Sequence, residues 1–124
     1  MKLLLDTHTL IWFLDRDERL GHAAKRHLAD DSNRVLLSAV VVLEISVKRS
    51  LGKLVFPDDY VEQLLRAGVQ SLPISVAHAA AVEHLPWHHR DPFDRMLVAQ
   101  ASVEGAAVVT RDEAMRPYDV TLIW

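Results

Sequence analysis

Leu3-Leu4-Leu5-Asp6-Thr7 is the stretch from which the fold can be read. Three consecutive apolar residues suit a short strand covered on both faces, and the run stops at once on a carboxylate and a hydroxyl. The pattern recurs. Val35-Leu36-Leu37 ends in Ser38, and Ala106 to Val109 ends in Thr110-Arg111-Asp112. Leu72-Pro73-Ile74 and Val120 to Ile123 are two further short apolar runs. Longer segments with helical signals lie between them. Short strands alternating with helices predict an α/β domain, with a central parallel sheet of four or five strands and helices on both faces.

The helix signals are specific. Ser38 can cap a helix running to about Leu51, with Lys48 and Arg49 complementing its negative end and Gly52 supplying a left-handed stop. Pro57-Asp58-Asp59 opens a segment that ends at Gly68. Ser75 can cap a third helix, which Pro86 ends. Asp91-Pro92 opens a fourth, running to about Val103 with Gly105 after it. Leu20 to Leu28 also reads as helical, and Arg16 to Arg19 as a charged loop.

The chain has 124 residues, half of them apolar and a quarter charged. That is ordinary globular composition and fits one domain over residues 1–124. There is no cysteine, which excludes disulfide scaffolds, thiol catalysis and Cys-based zinc sites. The opening Leu run meets Asp6 too early for a signal peptide, and no apolar stretch approaches the roughly 20 residues of a membrane span. A cytoplasmic location is therefore expected. The formal charge of −3 argues, taken alone, against a nucleic-acid partner.

Several polar residues stand where a site would form. In open parallel sheets, ligands bind outside the carboxyl ends of the strands. Asp6, Ser38, Thr110 and Asp112 follow strands there, although the same residue types also cap helices. Glu44 lies in Ala39-Val40-Val41-Val42-Leu43-Glu44-Ile45, a helix start apolar nearly all round. Such a helix is expected to be buried on most faces, where a lone carboxylate costs several kcal/mol. A pair with Lys48 would return only about 0.2–0.5 kcal/mol on an exposed helix, so a metal ion is the better explanation. Asp91 and Asp94 share the first turn of the fourth helix, Asp91 mainly as its cap and Asp94 at the rim of an apolar face. The candidate constellation is Asp6, Glu44, Asp94 and Asp112. Oxygen-only ligands select Mg²⁺ or Mn²⁺ rather than zinc.

Together these pieces resemble a known family. Leu4-Leu5-Asp6-Thr7-His8, the Glu44-Ile45 helix with Lys48 and Leu51-Gly52-Lys53-Leu54, His89-Arg90-Asp91-Pro92-Phe93-Asp94-Arg95-Met96-Leu97-Val98-Ala99-Gln100-Ala101, and Val109-Thr110-Arg111-Asp112 are similar to PIN-domain nucleases. More closely, they resemble the VapC toxins of bacterial toxin–antitoxin pairs. The resemblance covers the whole chain in order. It implies a three-layer α/β/α PIN-like fold and endoribonuclease activity dependent on Mg²⁺ or Mn²⁺, with one or two ions. The family's four acids fall on Asp6, Glu44, Asp94 and Asp112, as catalytic and metal-binding residues, and its hydroxyl on Thr110. Asp91 is expected to support them. The resemblance also implies an RNA substrate, a cognate antitoxin and a homodimer.

RNA must be held by its phosphates, and Lys48, Arg90, Arg95 and Arg111 are the candidates, each close in sequence to a site acid. Lys48 and Arg95 have an equally simple role in balancing nearby carboxylates. Trp12 and Trp87 could stack on bases, though packing is the commoner role of tryptophan. His78, His84, His88 and His89 lack zinc spacing. Two other readings compete. A phospho-receiver-like signalling domain would need paired acids after the first strand and a late lysine, yet Asp6 stands alone and no lysine follows Lys53. A catalytically inactive PIN-fold binding module is the other. Once Asp6, Glu44, Asp91, Asp94 and Asp112 are assigned to a metal site, the 14 Lys and Arg outnumber the remaining acids, and the net charge no longer disfavours RNA.

Overall fold

The structure is a computed structural model describing residues 1–124. Five parallel strands form one sheet: β1 (Lys2–Leu5), β2 (Arg34–Ser38), β3 (Gln70–Leu72), β4 (Ala107–Val109) and β5 (Leu122–Ile123). Six α-helices cover it: α1 (Thr7–Asp15), α2 (His22–Ala29), α3 (Ala39–Ser50), α4 (Tyr60–Arg66), α5 (Val76–Ala81) and α6 (Pro92–Glu104). Strand order is β3-β2-β1-β4-β5. The chain therefore builds outward from β1 in one direction, then returns to the other side through β4. In parallel sheets the crevice at such a reversal is where ligands bind.

Leu3, Leu4, Leu5, Val108 and Val109 are essentially inaccessible, as expected for central strands packed on both faces. Leu3 pairs with Ala107, Leu4 with Val108 and Leu5 with Val109. Asp6 and Thr110 therefore leave the sheet side by side. The three-layer α/β/α expectation matches this architecture.

Most predicted helix ends agree. Ser38 caps α3, Ser75 caps α5 and Asp91 caps α6 through their side chains. Gly52 and Gly105 take left-handed conformations after α3 and α6. Three boundaries differ. The third apolar run pairs as Gln70–Leu72, not as Leu72-Pro73-Ile74, because Pro73 has no N–H to give to a ladder. The last strand contracts to Leu122–Ile123, since Val120 turns back to bond the Tyr118 carbonyl. The segment from Pro57 becomes helical only at Tyr60. The helix α1 has no counterpart among the predicted elements. Its Thr, Ile, Trp and Phe content gives weak helix propensity, and it forms because Asp6 caps it and the sheet packs against it. The expectation that α3 is buried nearly all round is also corrected: Leu43, Val47 and Leu51 form an exposed stripe along it.

Gly21 is fixed by close approach. A Cβ there would lie 2.5 Å from the Trp124 backbone carbon, so the start of α2 sits directly against the end of β5. The Ala23 N–H donates to the Trp124 carbonyl at this contact. Gly21→Ala should destabilise the fold by about 1–3 kcal/mol through overpacking, read as a lower midpoint in urea with an unchanged slope.

Candidate active site

A cleft of about 700 Å³ opens at the carboxyl edge of the sheet, over the β1–β4 reversal. Asp6, Glu44, Asp91, Asp94, Asp112 and Glu113 all line it, so six acids from four separate stretches of chain converge on one opening. Lys48 and Arg111 line it as well.

Each acid is held by one or both of its oxygens. Asp6 accepts the Thr9 backbone N–H at 2.9 Å as the cap of α1, and its other oxygen accepts the Thr110 hydroxyl. Thr110 in turn accepts the Asp112 N–H at 2.9 Å, tying the two strand ends together. Asp112 caps the short turn that follows by accepting the Ala114 N–H. Asp91 accepts the N–H groups of Phe93 and Asp94. Glu44 accepts the Thr7 hydroxyl at 2.9 Å and the Lys48 ammonium at 2.6 Å. Its side chain is 13% exposed. The Lys48 pair thus exists, and the carboxylate is neither isolated nor deeply buried.

Asp94 carries the electrostatic signature of the site. Burial, reinforced by the negative charge of Asp91 and more weakly by Asp112, pushes its carboxyl up to about 6, against the pull of a hydrogen bond from His89. His89 bridges Asp94 at 3.2 Å and the Tyr118 hydroxyl at 2.7 Å. Tyr118 also accepts from Arg95 at 3.3 Å. These bonds are mutually satisfied if Tyr118 donates to His89 Nδ1 and His89 Nε2–H donates to Asp94.

Arg95 is a correction to the sequence reading. It is 3% exposed and gives its N–H groups to the carbonyls of Pro86, Val82 and Leu85. Its guanidinium lies 3.9 Å from the centroid of the exposed Trp87 ring. It reaches no carboxylate and presents nothing to the cleft, so it neither balances charge nor meets RNA phosphates. Its role is to pin the loop before α6. Arg90 is exposed but does not line the cleft. Of the four histidines, His78 is buried against Glu104 and His89 serves Asp94. Thr7, Thr9, Arg19 and His89 are site or supporting residues absent from the predicted set. The Thr-x-Thr that follows Asp6 was the available signal for two of them, because hydroxyls after a strand bond neighbouring polar groups.

No three of the acids and histidines converge closely enough, as the side chains stand, to grip one ion between them. The donor chemistry nonetheless suits a hard divalent cation. All the donors are oxygens, and burial together with the negative charge of Asp91 makes one carboxyl resist ionisation.

Asp94 also yields a stability prediction. Unfolded, it ionises near its ordinary value; folded, only at about 6. As pH rises the unfolded chain releases this proton first, so the group turns against folding between roughly pH 4 and 6 and stays unfavourable above. Asp94→Asn should therefore stabilise metal-free protein at about pH 7.5, by about 1–2 kcal/mol after solvent screening, and much less at about pH 4. Thermal melts at both values in EDTA check the sign. A second expectation concerns Arg95. Arg95→Met should lower stability by about 2–3 kcal/mol through orphaned carbonyls, while Arg90→Met stays within about 0.5 kcal/mol, both read from urea midpoints.

Known proteins place this architecture. The family model for the PIN domain matches residues 3–120. Ribonuclease VapC22 of Mycobacterium tuberculosis (strain ATCC 25618 / H37Rv) is 27% identical over 119 residues, covering 94% of this chain and 91% of the relative. The structure of VapBC2 from Rickettsia felis, bound to a DNA fragment from their promoter, superposes with a TM-score of 0.73 at 14% identity, covering 98% of this chain and 97% of that one. DNA-bound VapBC from Salmonella typhimurium gives 0.70 at 17% identity, covering 98% and 96%. At such identities the structures speak to the fold, which they share almost end to end. With the family match running from β1 through β4 and taking in the six helices and the acidic cleft, the chain belongs to the PIN domain family.

Proposed function

We propose that this chain is an endoribonuclease dependent on Mg²⁺ or Mn²⁺ and the toxin of a toxin–antitoxin pair, acting as a single PIN domain over residues 1–124. The observation that carries the reading is the convergence of Asp6, Glu44, Asp94 and Asp112 in one cleft of a PIN domain. The relative named as a ribonuclease and the VapBC complexes of the same fold support it. A phospho-receiver reading has no comparable support.

Asp6, Asp94 and Asp112 would hold the one or two ions, with Glu44 as a further ligand or as the base that orients water. When bound, the cation supplies positive charge to the phosphoryl oxygens and makes water at the site more acidic. The protein's own part is preorganisation. The Thr110 hydroxyl and Thr9 N–H keep Asp6 from rotating away. Glu44, steadied by Thr7 and Lys48, is placed to take a proton from the attacking water. Asp91 keeps α6 capped, so that Asp94 faces the cleft. Lys48 is committed to Glu44, which leaves Arg111 as the cleft's better phosphate partner among the predicted cations. Arg90 remains a candidate for phosphates beyond the cleft.

The reading includes a cognate antitoxin and a homodimer, with Leu43, Val47 and Leu51 available as apolar contact surface. It sets the protein in the cytoplasm, where its RNA is. No helix is long and apolar enough to cross a membrane.

Purified protein should cut single-stranded RNA with Mg²⁺ or Mn²⁺, and EDTA should abolish cutting. Asp6→Asn should lower the rate by at least about 100-fold while leaving the melting temperature within a few degrees. Cleavage that survives both EDTA and Asp6→Asn would overturn the reading.

A further inference from the structure

The cleft is acidic on its floor, yet one wall carries two arginines over a single tryptophan. The Arg111 guanidinium carbon lies 4.5 Å from the centroid of the Trp12 ring, and that of Arg19 lies 5.0 Å from it. All three residues line the same cleft as the acids. Trp12 is itself nearly buried, packed against Trp124 on one side and His8 on another. It is a fixed plate rather than a mobile side chain.

The two arginines reach this plate from distant parts of the chain. Arg111 follows β4 and sits between Thr110 and Asp112, yet it pairs with neither Asp112 nor Glu113 and lines the cleft. Arg19 comes from the loop after α1. There Arg16 adopts a left-handed conformation, φ +51°, that turns the chain back. Asp17 then accepts Arg19 Nε at 3.0 Å and Nη2 at 2.7 Å. That bidentate clamp orients the guanidinium and leaves its Nη1 edge unused, and the side chain is still 61% exposed. Arg19 holds Asp17 down at about 2, so the clamp stays charged at any working pH. A guanidinium stacked on an aromatic plate, with free N–H groups facing outward, is preorganised to grip a phosphodiester.

We propose that Arg19 and Arg111, seated on Trp12, form a rail that binds phosphates of single-stranded RNA flanking the bond to be cut. Arg19 and Trp12 are thus positioning residues, separate from the acids that carry the chemistry. The inference rests on the nuclease reading for its substrate. It explains how a cleft lined by six acids would accept a polyanion: the strand enters along the cationic wall and presents one phosphate to the floor.

The test is titration of a labelled single-stranded RNA by fluorescence anisotropy at several salt concentrations, on the Asp6→Asn background so that the RNA stays intact. Arg19→Gln and Arg111→Gln should each weaken binding about tenfold, the size of one charge-assisted hydrogen bond. Each should also flatten the plot of log affinity against log salt by about 0.7, one released counterion on a single strand. Arg66→Gln, an exposed arginine outside the cleft, should leave the slope unchanged. In parallel, in chains that keep Asp6, the same two variants should raise KM while kcat stays within about twofold. Slopes and KM unchanged in Arg19→Gln, in protein whose parent cuts RNA, would overturn the rail alone. An equal loss of slope in Arg66→Gln would overturn it as well, by showing that only net charge matters. A parent that binds with these slopes and cuts nothing would support the rail and overturn the nuclease reading.

Discussion

Leu5 lies opposite Val109 across two parallel strands, and the rest of the site depends on that pairing. It sits where the strand order reverses, so the two chain segments leaving the sheet there diverge and open a crevice. Asp6 and Thr110 emerge as neighbours, and the hydroxyl of one closes on the carboxylate of the other. Because side-chain direction alternates along a strand, a slip of one residue in this register would turn one of the two groups away from the other. The buried Leu and Val of β1 and β4 therefore do more than fill the core. Their packing fixes the register, and the register fixes the site.

Around that anchor the molecule gathers like charges that would otherwise stay apart. Asp91 and Asp94 lie in one helical turn, where the α6 dipole and the N–H groups of Phe93 and Asp94 offset part of the cost. Asp112 reaches them from β4 and Glu44 from α3. The remaining tension shows at Asp94, whose carboxyl ionises only at about 6. A crevice that holds back a carboxyl in this way gains stability from any cation it binds. The arginines seated on Trp12 are the cationic counterpart within the same cleft.

How much of this could be read in the sequence depended on range. Strands β1, β2 and β4 and the caps Ser38, Ser75 and Asp91 are local events, written in a few adjacent residues, and they were legible. The helix α1 was not, because Thr, Ile, Trp and Phe do not favour a helix, and it takes the burial of Leu10 and Trp12 beside the Asp6 cap to make Thr7–Asp15 one. Glu44 stands out in the sequence as an acid within an apolar helix, but the structure bears out only part of that contrast. The helix is apolar in composition, yet Leu43, Val47 and Leu51 face outward and Lys48 does pair with the carboxylate. Proximity in sequence misled at Arg95, which follows a site acid directly but points the other way around α6, into carbonyls of the preceding loop.

The sequence by itself determined the class of fold and the chemical type of the site. Both follow from short-range pattern: apolar triplets that end in Asp, Ser or Thr, and helix caps at fixed offsets. It also held the four acids, since their positions at strand ends and on helix starts and the motif resemblance led to the same residues. Only the tertiary structure decided which oxygens are pinned, which carboxyl resists ionisation and which cations reach the cleft. Those properties depend on distances between groups as much as 104 residues apart in the chain, such as Asp6 and Thr110. Distances of that kind are set by strand register and helix rotation, which no local pattern encodes.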